Sequence, residues 1–486
     1  VSSRRNPTRS GRSRGALAAS CASVALALAC AAITGPKPAW EEPPPPPTEA
    51  PVVQPGTFHR ARLDNGLEIL VLEDRRLPRV ALGIEFRRGE GALPPEQAGL
   101  ASFTTELLER GAGSRDALEF AEYVDSIGAS FSAAAAWDSA TVGVVGLSED
   151  LDRLMEILRD AVRSPRFEKA EADRARAERL AALERALDDP ATLASWHTAK
   201  AVYGDHRYGL PVVGSPDAVQ GFDESSAREY HRRTFIPNDA IFFASGDVSA
   251  DDIVARVKRA FGDWEPGPEV PAGPAPPPET PAARKIVIVD RPDLVQAQIT
   301  LAHEGIRRTA DDRLAVSLMN SVVGGSGFSS RLMAVLRSEA GLTYGIYSGF
   351  DLRRQPGPFI VATSTRVPEV RNALDLILDE LRRARRDPPD ASELTWARTL
   401  AVGRFSMGLE TSAAVMSGLV DLEVHGLPDD SLDTFRTRIR AVSAEQVSQA
   451  ARDHLHPDRA AIVLVGPADQ ILPLVEDLGP VEVVQP

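Results

Sequence analysis

Cysteine is almost missing from this chain. Only Cys21 and Cys30 occur among its 486 residues, and both precede the stretch that has globular composition. The folded part therefore has no thiol for an internal disulfide or a thiolate metal site. An excess of positive charge is missing too. At a net charge of −14 there is no basic footprint for nucleic acid, and the acidity serves solubility or a mild attraction for basic peptides. The apolar run at residues 16–29 is shorter than the roughly 20 residues that cross a bilayer comfortably.

That run has the features of an export signal instead. Arg4, Arg5, Arg9, Arg12 and Arg14 form a positive region ahead of it, as signal segments require. It ends Leu26-Ala27-Leu28-Ala29-Cys30, small residues before a cysteine, which is the pattern of a bacterial lipoprotein processing site. Cys30 is the expected lipidated residue, in a periplasmic protein anchored to a membrane; a plain secretory signal is the alternative. Residues 36–56, with five prolines at 43–47, make a stiff polyproline tether that cannot bury a core.

Beyond the tether the sequence is of ordinary globular type, and the whole chain is 43% hydrophobic and 26% charged. Leu63-Asp64-Asn65-Gly66 is a hairpin turn leading into a strand at 67–72. Alternation predicts a second strand at 80–86 and a strand pair at 131–147. Helical periodicity predicts helices at 99–110, 117–127, 151–162 and 169–187. This order predicts an α+β sandwich, with helices on one face of a largely antiparallel sheet.

The pattern then repeats. The segment Ile236-Pro237 through Gly246 matches His456-Pro457 through Gly466, with 457 − 237 = 220 and 466 − 246 = 220. The strand at 80–86 aligns with 295–301, and the helix at 151–162 with 370–381. Two homologous domains are expected, not a short-period solenoid. The expected organisation is a signal at 1–30, a tether at 31–56, a first domain at 57–265, a linker rich in Pro, Gly and Ala at 266–283, and a second domain at 284–486.

The densest local signal lies at 320–347. Gly324, Gly325 and Gly327 predict a glycine-rich turn, Ser329-Ser330 an N-cap, and Leu332, Met333 and Leu336 a helix face. Gly341 ends that helix and a strand is expected from Leu342 to Tyr347. Arg337, late on the helix, and Tyr344, early on the strand, can then come together above an apolar floor. Taken alone, these are an ordinary helix-end charge and a strand-packing aromatic. The run S-R-L-x-x-x-L-R-x-E-x-G-L-x-Y at 330–344, however, resembles the second half of the pitrilysin/insulysin family of zinc peptidases, the inverzincins. The resemblance extends over nearly everything after Gly56. It implies two similar α/β halves closing like a clam shell over a peptide. It also implies that Arg337 and Tyr344 face the zinc site and hydrogen-bond the substrate backbone near the scissile carbonyl.

The zinc motif itself is missing. Active members read G-x-A-H-x-x-E-H-x-x-x-x-G on one helix, where two histidines four apart share a face and ligate one metal. Here Gly99 and Gly111 keep the frame, but Ser102 and Glu106 stand at the histidine positions and Thr105 at the base position. Counting back from Asp188-Asp189-Pro190, the third ligand falls near Ala181 or Ala182. The eight histidines supply no substitute: His454 and His456 flank a turn as surface residues, His303 has no second histidine four away, and His206 lies in a loop of structural type. Ser102 lacks the G-x-S-x-G surroundings of a nucleophile. Glu106 and Glu109 are expected on a solvated helix face.

The function these features predict is a non-catalytic, substrate-positioning subunit of a heterodimeric zinc peptidase. Arg337 and Tyr344 would be supplied in trans, Gly324, Gly325 and Gly327 would form a flexible lip for substrate, and no cofactor would sit in this chain. The expected partners are a zinc-bearing homologue, a peptide and a membrane, with no nucleic acid. A structural scaffold or a peptide-binding protein without proteolytic role is the alternative.

Overall fold

The computed structural model describes residues 50–268 and 283–486. The export signal, Cys30, most of the tether and most of the linker lie outside the described residues.

Two six-stranded sheets carry the fold. The first is built from β1 (Phe58–Arg62), β2 (Glu68–Glu73), β3 (Arg79–Phe86), β4 (Ser130–Ala135), β5 (Ala140–Leu147) and β6 (Ala240–Gly246), in the order β1-β2-β6-β3-β5-β4. The second uses β7 (Lys285–Asp290), β8 (Gln296–Glu304), β9 (Ile346–Phe350), β10 (Pro358–Arg366), β11 (Ala461–Gly466) and β12 (Val481–Val484), in the order β12-β7-β11-β8-β10-β9. Setting the outermost β1 and β12 aside, the pairings match strand for strand. One parallel pair, β2 with β6 or β7 with β11, adjoins three antiparallel ones. These are two homologous α/β domains with largely antiparallel sheets, as expected.

The alignment of the repeat needs one correction. Ala81 pairs with Ser245, and Gln298 with Val465; since 465 − 245 = 220, Ala81 is equivalent to Gln298. The sequence alignment places it at Gln296, two residues early. A slip of two keeps every side chain on its face, so alternation is blind to it.

Helices also cover both faces of each sheet, not one. The first sheet's inner face packs on helices Leu100–Leu108, Leu151–Arg163 and Ala250–Phe261 of its own half. Its other face, with Leu70, Leu72 and Ile241, receives Val415, Met416, Leu419 and Val420 from helix Ser412–His425 of the second half. The exchange is reciprocal. Helix Pro190–Tyr203 of the first half lays Leu193 and Ala194 on Val287, Val289, Val463 and Val465 of the second sheet. This is why β2 and β11 read as unbroken apolar runs, ILVL and AIVLV, where a sheet with one wet face would alternate. Full burial of one such side chain is worth about 1.5–3 kcal/mol, so the two halves are stitched together by apolar packing, and Val52 and Val53 at the end of the tether pack against the first of these clusters.

Candidate functional site

Arg337 lies in a π-helical turn, Ala334–Glu339, that continues the short helix Arg331–Met333. Ala340 N–H donates to the Val335 carbonyl at 3.1 Å, the wider spacing of a π turn, a form often found at functional sites, and Leu342 N–H reaches back to the Leu336 carbonyl at 2.9 Å. Gly341, at φ +63°, ends the turn as expected. Tyr344 is not on a strand. It sits in an irregular 342–345 segment, and β9 begins only at Ile346. The ladder fails there because hydroxyls take the carbonyls: Thr365 Oγ1 donates to Leu342 O at 2.8 Å, and Thr363 Oγ1 to Gly345 O at 2.9 Å.

Freed from the sheet, Tyr344 is 86% exposed. The Arg337 guanidinium lies 4.7 Å from its ring centre and 4.4 Å from that of Phe328, itself 71% exposed. Arg337 is thus held between two aromatic faces, a cation–π arrangement, and among the described residues it has no carboxylate partner. Phe328 escaped the sequence reading, although it stands inside the glycine-rich segment. That segment is less of a flexible turn than expected. Gly324 and Gly325 belong to a π turn, Ser321–Gly325. A Cβ on Gly324 would come within 2.5 Å of Ser348 Oγ, and one on Gly325 within 2.4 Å of Asn320 Nδ2, so close approach is what requires glycine there. Only Gly327, at φ +69°, uses the left-handed region. Ser330 stands at the N-cap position but donates its hydroxyl back to Gly327 O at 2.8 Å without capping.

The degenerate motif occupies helix Leu100–Leu108, seven of whose nine residues are buried. Glu90, fully buried, satisfies its first turn from outside. Its carboxylate accepts from Gly99 N–H at 3.0 Å and Ser102 N–H at 2.7 Å, and pairs with the equally buried Arg207 at 2.7 Å. Charge at a helix N-terminus is favourable in this sense. The Arg179 guanidinium, from helix Lys169–Ala186, bridges the former metal positions. It donates to Ser102 Oγ at 2.8 Å, Gly99 O at 3.1 Å and Glu106 Oε2 at 2.6 Å. Arg110 takes the other Glu106 oxygen at 2.7 Å. Thr105 is buried and donates to Ser102 O at 3.1 Å.

The acidic face of this helix is therefore not merely solvated. Glu106 is held by two guanidinium groups, and Glu109 accepts from the Ala133 N–H of edge strand β4 at 2.9 Å. These residues do not suit a zinc ion. A divalent cation between positions 102 and 106 would meet one hydroxyl, one carboxylate already neutralised twice, and the positive charge of Arg179. Among the described residues, no three His, Cys, Asp or Glu side chains converge as a metal site elsewhere. None of the hydrogen bonds recorded to Ser102 comes from a histidine.

The histidines pack differently from expectation. His456 is half-buried with its ring 5.1 Å from that of buried His303, and its N–H donates to His303 Nε2 at 3.1 Å. His454 reaches Asp312 at 2.6 Å. Burial pushes the His303 imidazole down to about 3 and, with nearby Arg459, that of His456 to about 4. His206 does serve its loop, accepting from Tyr208 N–H at 3.1 Å.

Fold and site together define a two-domain peptidase-type sandwich whose own metal helix has been closed by arginine. A profile described as "Insulinase (Peptidase family M16)" matches residues 69–215, and one described as "Peptidase M16 inactive domain" matches residues 222–400. The chain belongs to this peptidase family M16, the pitrilysin/insulysin family. It is 27% identical over 417 residues to an uncharacterized zinc protease of Streptomyces coelicolor, covering 85% of this chain and 90% of that one. A crystal structure of a peptidase M16 inactive domain from Pseudomonas fluorescens superimposes with a TM-score of 0.79 at 27% identity, over 84% of this chain and 98% of that one. A protease from Helicobacter pylori shares the fold, with a TM-score of 0.76 at 17% identity, over 84% of this chain and 99% of that one.

Proposed function

We propose that this chain is the substrate-positioning subunit of a heterodimeric zinc peptidase, offering Arg337 and Tyr344 to a metal site carried by a partner of the same family. The observation that carries this reading is an asymmetry. The motif helix is shut by the Arg179–Glu106 pair, whereas Tyr344 is exposed and the half-buried Arg337 is stacked on its ring, with no carboxylate partner among the described residues. A guanidinium and a phenol held ready beside a peptide carbonyl orient it and stabilise the negative charge that develops as it is attacked. Neither task requires a metal in this chain. Holding Arg337 between two rings keeps it from reorganising at the moment of reaction. The 324–327 segment would line the approach of the peptide. A lipid on Cys30 would hold the complex at a membrane.

The test is peptide cleavage by this chain mixed and co-purified with a zinc-bearing homologue. The chain alone is expected to be inactive and the pair active. Arg337→Ala or Tyr344→Phe should lower turnover about 10²–10³-fold with assembly unchanged, and Ser102→Ala should have almost no effect. Full activity with both Arg337 and Tyr344 replaced would reduce the chain to a scaffold.

A further inference from the structure

A cavity of about 400 Å³ lies in the second half, away from Arg337, Tyr344 and the motif helix. Its walls come from helices Arg313–Asn320, Ala391–Met407, Ser412–His425 and Ser431–Ala441. The body is apolar, formed by Leu314, Leu352, Leu422, Leu432, and the stacked rings of Phe405 and Phe435, 4.3 Å apart. This size and lining are those of a small-molecule pocket.

Its polar groups are unusual. Three guanidinium groups, Arg308, Arg313 and Arg438, share the wall with a single carboxylate, Asp421. Asp421 is already committed, to Arg308 and, at 3.1 Å, to His425 Nδ1. Arg313 bonds only the Ala310 carbonyl, at 3.3 Å, and Arg438 has no recorded partner among the described residues. Burial, with Arg438 and Arg308 nearby, holds the Arg313 guanidinium below its ordinary range. Two further polar atoms of the lining, Arg308 Nε and the hydroxyl of nine-tenths buried Ser431, have no hydrogen-bond partner among the described residues. Buried donors are ordinarily satisfied, and like charges gathered around an apolar cavity favour an anion that enters it.

We infer that this cavity binds an apolar ligand with one anionic head group, the chain lying among the leucines and the Phe405–Phe435 stack and the head group meeting Arg313, Arg438 and the Ser431 hydroxyl. Two sources share that chemistry, a free medium-chain carboxylic acid and the C-terminal carboxylate of a peptide ending in apolar residues. The site is independent of the pairing with a zinc-bearing chain, so either proposal can fail alone.

Calorimetric titration of the full chain decides it, with decanoate, methyl decanoate, and N-acetyl-Leu-Phe as free acid and as amide. At least one acid should bind about tenfold or more tightly than its uncharged counterpart, the difference expected for a charge-assisted hydrogen bond. Arg313→Gln with Arg438→Gln should erase that preference while the melting temperature holds, since the change relieves like-charge repulsion. Ala414→Trp, which fills the cavity from Ser412–His425, should abolish binding. Binding of decanoate alone assigns the site to acyl chains; binding of the peptide acid alone assigns it to a peptide C-terminus. No binding of either up to about 1 mM, equal binding of acid and uncharged analogue, or binding that survives Ala414→Trp overturns the inference. The acid-against-neutral comparison uses the unaltered protein, so it stands even if a variant misfolds.

Discussion

The guanidinium of Arg179 sits 2.6 Å from the carboxylate of Glu106 and 2.8 Å from the hydroxyl of Ser102. One cation thereby bridges positions i and i+4 of the motif helix, the two places from which zinc-binding members of the family hold their metal. The side chain is largely buried, and Glu106 keeps Arg110 as a second partner. Arg179→Ala should therefore destabilise the chain by only about 2 kcal/mol, read from denaturant midpoints. A loss near zero would mean the bridge is ornamental.

The same relationship predicts metal behaviour. Chelator-free protein should carry far less than one zinc per chain by elemental analysis. Replacing Ser102→His and Glu106→His should give at most weak zinc binding while Arg179 remains. Adding Arg179→Ala should tighten it about tenfold or more by removing like-charge repulsion. Stoichiometric zinc on the unaltered chain, lost on changing this helix, would contradict both expectations.

Phe328 should matter modestly. Removing one ring from beside the half-buried guanidinium of Arg337 forfeits about 1 kcal/mol. Phe328→Ala should thus lower peptide turnover by the mixed complex less than tenfold, far less than Arg337→Ala. Phe328→Tyr, which keeps a ring face, should restore it. Equal losses for Phe328→Ala and Arg337→Ala would show that the ring acts on substrate directly.

His425 joins the two halves. From helix Ser412–His425 its Nε2 lies 3.2 Å from Asp138 of the first half, while Nδ1 lies 3.1 Å from Asp421. Arg354 N–H also reaches Asp138 at 2.8 Å, and Arg308 pairs with Asp421. Buried Glu85, whose carboxyl is pushed up by burial, lines the same cleft. Burial opposes the imidazolium, but its two aspartates prevail and raise it to about 9. A group raised on folding stabilises fully below its unfolded value and loses that contribution as pH climbs through the folded one. Stability should therefore fall between about pH 6.5 and 9, by up to about 3 kcal/mol. In His425→Gln that slope should flatten; an unchanged slope in urea midpoints across this range would exclude His425 as its source.

The proposed anchor has its own check. With Cys30→Ser, the protein should leave the membrane fraction and lose lipid-dependent processing, because two or more acyl chains hold a protein firmly where one does not. Unchanged fractionation would leave a plain secretory signal.

The sequence alone determined whatever is written in neighbouring residues. The two-domain repeat is visible because β6 and β11 each follow a proline turn and end in glycine, and five strands of each sheet, all but β1 and β12, pair in the same way. The presence of Ser102, Thr105 and Glu106 where the metal motif needs its histidines and base, and the seven-residue spacing of Arg337 and Tyr344, are local patterns too. Local pattern nonetheless misplaces Tyr344 on a strand, since the hydroxyls that claim its flanking carbonyls come from Thr363 and Thr365, on another strand. The replacement for the metal is not legible either. Arg179 is one arginine among many on a charged helix, 73 residues from Glu106, and only the packing of helix Lys169–Ala186 against Leu100–Leu108 selects it. The exchange of helices between halves is equally hidden, because an apolar stripe records that a face is buried but not which sheet buries it. Periodicity is a property of the chain, whereas partnership between distant charges and faces exists only once the chain has folded.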